Sequence, residues 1–155
     1  MNVKKHYTIL SLYIFFLLLG IMYNHFTDIN DYVRVSNECF FNFNKVIHYV
    51  KNNGFVYLLL CLGLITYRVT TVINIIVNGF MLGMYFIPMI QIGGFAFLLH
   101  GIPELTALYI GAYIGFSSIQ GILDDKKKYL VMFLMGNLLI VIAALIETYL
   151  TPLVF

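Results

Sequence analysis

Charged residues are scarce in this chain of 155 residues, because Asp, Glu, Lys and Arg together make up only 10% of it. A soluble domain of this length needs far more polar surface to cover its core, so the composition argues against one. Neither the clustering of the cations nor their spacing among aromatic residues indicates nucleic-acid binding. Cysteine is also rare: Cys39 falls in a polar segment and Cys61 in an apolar run. We therefore expect no structural disulfide, no zinc site and no other metal or cofactor.

Hydrophobic residues make up 61% of the chain, and they occur in long runs separated by short charged patches. This pattern is typical of a polytopic membrane protein. We predict one all-α membrane domain over residues 1–155, a bundle of about five transmembrane helices. The predicted spans are residues 7–23, 53–68, 70–88, 100–121 and 129–150. Residues 24–53 form an external segment, either a helix in the membrane interface or an irregular solvated loop. Residues 88–99 are predicted to form a half-buried turn or a re-entrant segment.

The positions of the cations predict the orientation of the bundle. Lys4 and Lys5 precede the first span, and Lys126, Lys127 and Lys128 precede the last. Cytoplasmic loops carry an excess of Lys and Arg, and two cytoplasmic points require an even number of spans between them. The assignment has four, with Arg68 anchoring the inner end of the second span. The N-terminus is therefore predicted to lie inside and the C-terminus outside.

Three ionisable residues inside the apolar regions are candidates for chemistry: His100, Glu104 and Glu147. Pro103 suits the first position of a helix, which places Glu104 near the outer end of the fourth span. Glu147 lies 18 residues into the fifth span, about 27 Å along a helix that runs back outwards. The two carboxylates should therefore lie at similar depth. They could share a proton, hold a cation together with His100, or hydrogen-bond backbone near Gly101. The other histidines, His6, His25 and His48, are expected to be solvated.

Two Gly-x-x-x-Gly pairs mark the third and fourth spans. Gly79 and Gly83 lie beside Asn78 in the third, and Gly111 and Gly115 lie in the fourth. Small residues let helices in lipid approach closely. We therefore expect these two spans to pack against each other within one subunit.

Four short motifs follow one another along the chain: Asn53-Gly54-Phe55, Asn78-Gly79-x-x-x-Gly83, His100-Gly101-x-x-Glu104-Leu105 and Ile146-Glu147-x-x-x-Thr151-Pro152. Together they resemble the stage II sporulation protein M family over about residues 45–153. The resemblance implies an integral membrane protein without an established catalytic activity. Sporulation members of that family are scaffolds that gather cell-wall hydrolases. Small members occur with circular-bacteriocin genes, alongside a larger polytopic membrane protein and an ATP-binding subunit in maturation, export or immunity.

The leading functional hypothesis is a small non-ATPase subunit of a circular-bacteriocin maturation and secretion complex in the bacterial cytoplasmic membrane. Its partners would be the bilayer, the larger membrane protein, the ATPase and a hydrophobic peptide substrate. One alternative is a sporulation scaffold that uses residues 24–53 as its contact surface. A second is an intramembrane peptidase or ligase component that uses His100, Glu104 and Glu147. Because the resemblance implies no established catalytic activity, we expect that this protein is not an enzyme on its own.

Overall fold

The computed structural model describes residues 3–27, 43–93 and 97–151, and this part of the chain is helical without strands, as predicted. Its helices are α1 (Val3–Thr27), α2 (Phe43–Cys61), α3 (Val69–Gly93), α4 (Leu98–Gly115), α5 (Ile119–Asp124) and α6 (Lys126–Leu145). A short 3₁₀ turn, Leu62–Leu64, follows α2, and a π-helical turn, Ile146–Leu150, follows α6. Most of the predicted external segment, with Cys39, lies outside the described residues.

Three of these helices are long and apolar enough to cross a membrane. They are Lys4–Thr27 in α1, Val69–Gln91 in α3, and Lys126–Leu150, which joins α6 to its π-helical turn. These segments support a membrane protein, because a span needs about 20 predominantly apolar residues. The crossing of the bilayer by α2 and α4, and with it the count of five spans, stays a prediction.

Several helix boundaries differ from the predicted spans. Helix α2 begins at Phe43, so the helix proposed for the end of the external segment leads directly into the second span. Helix α3 continues through Pro88 to Gly93, and Pro103 lies inside α4 instead of at its start. Apolar helix bundles tolerate such prolines because neighbouring groups satisfy the freed backbone. Helix α4 ends at Gly115 because Ser118 adopts an extended conformation and caps α5.

The glycines of α3 pack against α1. Gly79 lies beside Tyr13, and Gly83, one turn later, lies beside Leu17, so the two helices run parallel. A Cβ on Gly83 would collide with the Leu17 carbonyl group, and a Cβ on Gly20 would collide with that of Phe80. The expectation that the third and fourth spans pack closely against each other through these glycines is therefore wrong. Small residues indicate that a backbone approaches, but they do not specify which one.

The glycines of α4 accommodate a side chain of α2. Tyr57 is 0% exposed, and its ring lies against Gly111 of α4 and Gly136 of α6. Its hydroxyl donates to the Phe133 carbonyl oxygen at 3.2 Å. The next α4 glycine, Gly115, lies against the Leu60 backbone, so α2 and α4 run parallel. Helices α2, α4 and α6 therefore form a second packed unit around one buried aromatic ring.

A left-handed turn joins the two units. Tyr67 and Arg68 have φ of 51° and 72°, and the Arg68 N–H donates to the Gly63 carbonyl oxygen at 2.6 Å. Non-glycine residues rarely adopt this conformation, so the turn is locally strained. Just beyond it, the Thr71 hydroxyl donates to the Leu60 carbonyl oxygen at 2.7 Å. These bonds fix the end of α2 to the start of α3.

The cations of α1, of the Tyr67–Arg68 turn and of α6 gather at the end of the bundle that contains this turn. Lys5 Nζ donates to the Ser117 hydroxyl at 3.2 Å, and that hydroxyl lies 3.1 Å from the Tyr129 hydroxyl. The start of α1, the end of α4 and the start of α6 therefore meet. The cations predicted to be cytoplasmic all belong to this end, namely Lys4, Lys5, Arg68, Lys126, Lys127 and Lys128.

Candidate functional site

The candidate site lies at the opposite end of the bundle, where α2, α4 and the π-helical turn come together. We call Tyr49, His100, Glu104, Glu147 and Thr151 the carboxylate cluster. Tyr49 comes from α2, His100 and Glu104 from α4, and Glu147 from the π-helical turn, with Thr151 as its C-cap. His100 and Glu104 share a face because residues four apart are neighbours on a helix.

Two hydrogen-bonded pairs cross between helices in this cluster. The hydroxyl of Tyr49 is hydrogen-bonded to the carboxylate of Glu147, which links α2 to the end of α6. His100 Nδ1 lies 3.1 Å from the Thr151 hydroxyl oxygen. That hydroxyl also lies within 3.3 Å of the Ile146 carbonyl oxygen and can donate to it. Both bonds form together when His100 carries its proton on Nδ1 and donates to Thr151.

The two carboxyl groups interact electrostatically. Glu147 lies within reach of the charge on Glu104, and Tyr13 of α1 lies within reach of the same charge. All three side chains are partly buried. Outside the candidate spans, the pKa of Tyr49 is raised above its usual 10.0, first by burial and then by the charge and hydrogen bond of Glu147. The Tyr49 proton is therefore held more tightly in the folded protein.

This arrangement can join helices and can hold protons between oxygen and nitrogen atoms. Glu147 has the tyrosine hydroxyl of another helix as its partner, which differs from the backbone, second carboxylate or cation expected from the sequence. Within residues 3–27, 43–93 and 97–151, no group of three His, Cys, Asp or Glu side chains is placed to hold a metal ion.

The remaining predicted site residues are dispersed. Gly101 has open space where a Cβ would stand, so it is not a packing glycine. Asn78 donates from Nδ2 to the Asn74 carbonyl oxygen at 2.9 Å, within its own helix. Arg68 is exposed, as are Lys126, Lys127 and Lys128. None of these residues belongs to the carboxylate cluster.

A second polar cluster, at the cation-bearing end, was missed from the sequence. His6 is half-buried instead of solvated: its ring stacks on Tyr109 and Tyr113 of α4, and Nδ1 is hydrogen-bonded to the Tyr109 hydroxyl. Lys5 Nζ lies 5.4 Å from the centre of the Tyr113 ring. Tyr109 and Tyr113 of α4 and Ser117, two residues beyond its end, recur every four residues, and this spacing is the signal that could have predicted the cluster.

Comparison with known proteins identifies the family to which this chain belongs. The profile of the stage II sporulation protein M family matches residues 9–152, nearly the whole chain. An uncharacterized protein of Methanocaldococcus jannaschii is 31% identical over 158 aligned positions, which cover 86% of this chain and 88% of that protein. No solved structure matches the chain significantly. The chain is therefore a member of the stage II sporulation protein M family.

Proposed function

We propose that this chain is a small non-ATPase subunit of a multi-protein complex in the bacterial cytoplasmic membrane, crossing the bilayer about five times. The complex would mature and secrete a circular bacteriocin. Its other members would be a larger polytopic membrane protein and an ABC-type ATPase, and its substrate would be a hydrophobic peptide. Family membership and three long apolar helices support the membrane part of this proposal.

The observation that carries the assembly role is that ionisable side chains are hydrogen-bonded between helices. Glu147 is hydrogen-bonded to Tyr49 of α2, and His100 to Thr151 at the end of α6. These polar side chains bridge helices, as polar residues do inside membrane bundles. A rigid bundle of this kind suits a subunit that holds other membrane proteins in place.

Co-purification tests the proposal. The tagged chain would be extracted from native membranes in a mild detergent, with a tagged unrelated helical membrane protein as control. We expect one larger polytopic protein and one ATP-binding protein to be recovered with this chain and not with the control. Recovery of a monodisperse chain without partners would contradict the subunit role.

A second candidate is an intramembrane peptidase or ligase component, and one observation favours it: His100, Glu104 and Glu147 lie in one cluster. The Glu104→Gln variant separates the two candidates because glutamine keeps the size of the side chain but cannot ionise. If the subunit role is right, the variant folds, assembles and supports normal peptide processing. A fully assembled variant that leaves the precursor peptide unprocessed favours the enzyme instead.

A further inference from the structure

A cavity of about 310 Å³ separates α4 from α1 and α3. Its walls include Ile9 and Leu10 of α1, Ile75 of α3, and Leu105, Leu108 and Ala112 of α4. The cavity has the volume of about ten water-sized groups. It is therefore large enough for a stretch of hydrocarbon chain and too small for a helix with its side chains.

Four polar residues around this cavity direct hydrogen-bonding groups to protein partners. Asn74 Nδ2 donates to the Thr70 carbonyl oxygen at 3.1 Å, and Asn78 Nδ2 makes the same bond one turn later. The hydroxyl of Thr106 donates to the Ile102 carbonyl oxygen at 2.8 Å, and that of Tyr109 is bonded to His6. The cavity consequently presents mainly carbon. A peptide backbone would carry N–H and C=O groups into it without partners, whereas an acyl chain needs none.

Positive charge lies next to one end of the cavity. Lys5 precedes the lining residue Ile9 by one turn on the same face of α1. Arg68 lies just before the first turn of α3, six residues before the lining residue Asn74. Lys4 and the three lysines that begin α6 belong to the same end, where Asp124 and Asp125 are the described carboxylates. This excess of cations complements a negatively charged headgroup.

We propose that the cavity between α1, α3 and α4 binds one acyl chain of an anionic phospholipid, whose phosphate lies between Lys5 and Arg68. The apolar walls favour the hydrocarbon chain, and the cations favour the negatively charged headgroup. The site does not depend on the proposed function, because a membrane protein of any role can carry a bound lipid.

Native mass spectrometry of the full chain tests this proposal. The protein would be purified in a neutral detergent and given equal amounts of phosphatidylglycerol and phosphatidylcholine with identical acyl chains. We expect one phosphatidylglycerol molecule to be retained in preference to phosphatidylcholine. Arg68→Gln should reduce the preference about fivefold, because one cation near a lipid surface has about that effect. Lys127→Gln, at the same end but on α6, should leave it unchanged.

A variant that fills the cavity tests the acyl-chain site separately from the cations that would bind the headgroup. Thr106→Phe places a ring into the cavity, and Ile102→Phe places the same ring at another exposed position one turn earlier on α4, outside the cavity lining. Far-UV circular dichroism and size-exclusion chromatography would establish that both variants are folded. We expect Thr106→Phe to lose the bound lipid and Ile102→Phe to keep it. Equal retention of the two lipids by the native chain, or equal behaviour of the two phenylalanine variants, would overturn the proposal.

Discussion

Glycines serve two different purposes in the two packed units of this protein. Between α1 and α3, Gly20 and Gly83 each admit a carbonyl group of the facing helix. Among α2, α4 and α6, Gly111 and Gly136 admit the ring of Tyr57. The first contact is backbone against backbone, and the contact with Tyr57 is backbone against a side chain, although Gly115 of the second unit also meets the Leu60 backbone. A backbone cannot move without moving its helix, whereas a ring can tilt, so the two units should tolerate change differently.

The largest loss of stability is expected for Gly83→Leu. Its Cβ would collide with the Leu17 carbonyl group, and the rest of the side chain would force α1 away from α3. We expect a loss of about 3 kcal/mol or more in the free energy of unfolding. Reversible unfolding in mixed micelles, followed by circular dichroism, measures it. Gly101→Leu is the matched control because nothing lies within 4 Å of its added Cβ. Equal losses in the two variants would refute a backbone seam.

A double-mutant cycle examines the slot that contains Tyr57. Gly136→Ala would press a methyl group against the phenol end of the Tyr57 ring. Tyr57→Phe removes the hydroxyl and its bond to Phe133. We expect each single variant to lose about 1–2 kcal/mol of unfolding free energy. The double variant should lose less than the sum, because removing the hydroxyl relieves its contact with the added methyl group. Strict additivity of the two losses in unfolding free energy would show that the Tyr57 hydroxyl and the methyl group added at Gly136 do not contact each other.

The hydrogen bond at the far end of the second unit should have a smaller effect. Tyr49→Phe removes the hydroxyl that bonds to Glu147 and keeps the ring. We expect a loss of about 1 kcal/mol in unfolding free energy, measured by the same micelle assay. Tyr7→Phe is the control, since Tyr7 is 69% exposed. An effect no larger than that of the control would mean that the bond does not hold α2 against α6.

The smallest expected effect is the pH dependence of this same bond. Because the pKa of Tyr49 is raised above 10.0, the folded state holds the proton more tightly than the unfolded state. The contribution of Tyr49 is therefore complete below pH 10 and falls as the pH rises through the raised pKa. The stability difference between the native chain and Tyr49→Phe should shrink over that alkaline range. A difference that grows with pH would contradict the direction of the shift.

The sequence predicted the helical class and the gross order of the helices, because long apolar runs and short charged turns are strong signals. It also led to an expectation that Glu104 and Glu147 would lie at one depth, since helical rise converts residue counts into distance. It could not predict the partners of the glycines, because a missing Cβ carries no information about what approaches it. Tyr49 was missed because its stretch of sequence mixes polar and aromatic residues, as loops also do. His6 was missed because its stacking partners lie about a hundred residues away.

The π-helical turn at Ile146–Leu150 has a consequence for the geometry of the carboxylate cluster. Such a turn amounts to one surplus residue inside an α-helix, and each residue advances a helix by about 100°. The end of this turn is thereby rotated relative to an uninterrupted α-helix; Glu147 lies within the turn and Thr151 directly after it. Shortening the chain there by a single amino acid would restore ordinary winding and rotate Thr151 away from His100. The polar end of this bundle therefore depends on the winding of one helical turn as well as on the identity of its side chains.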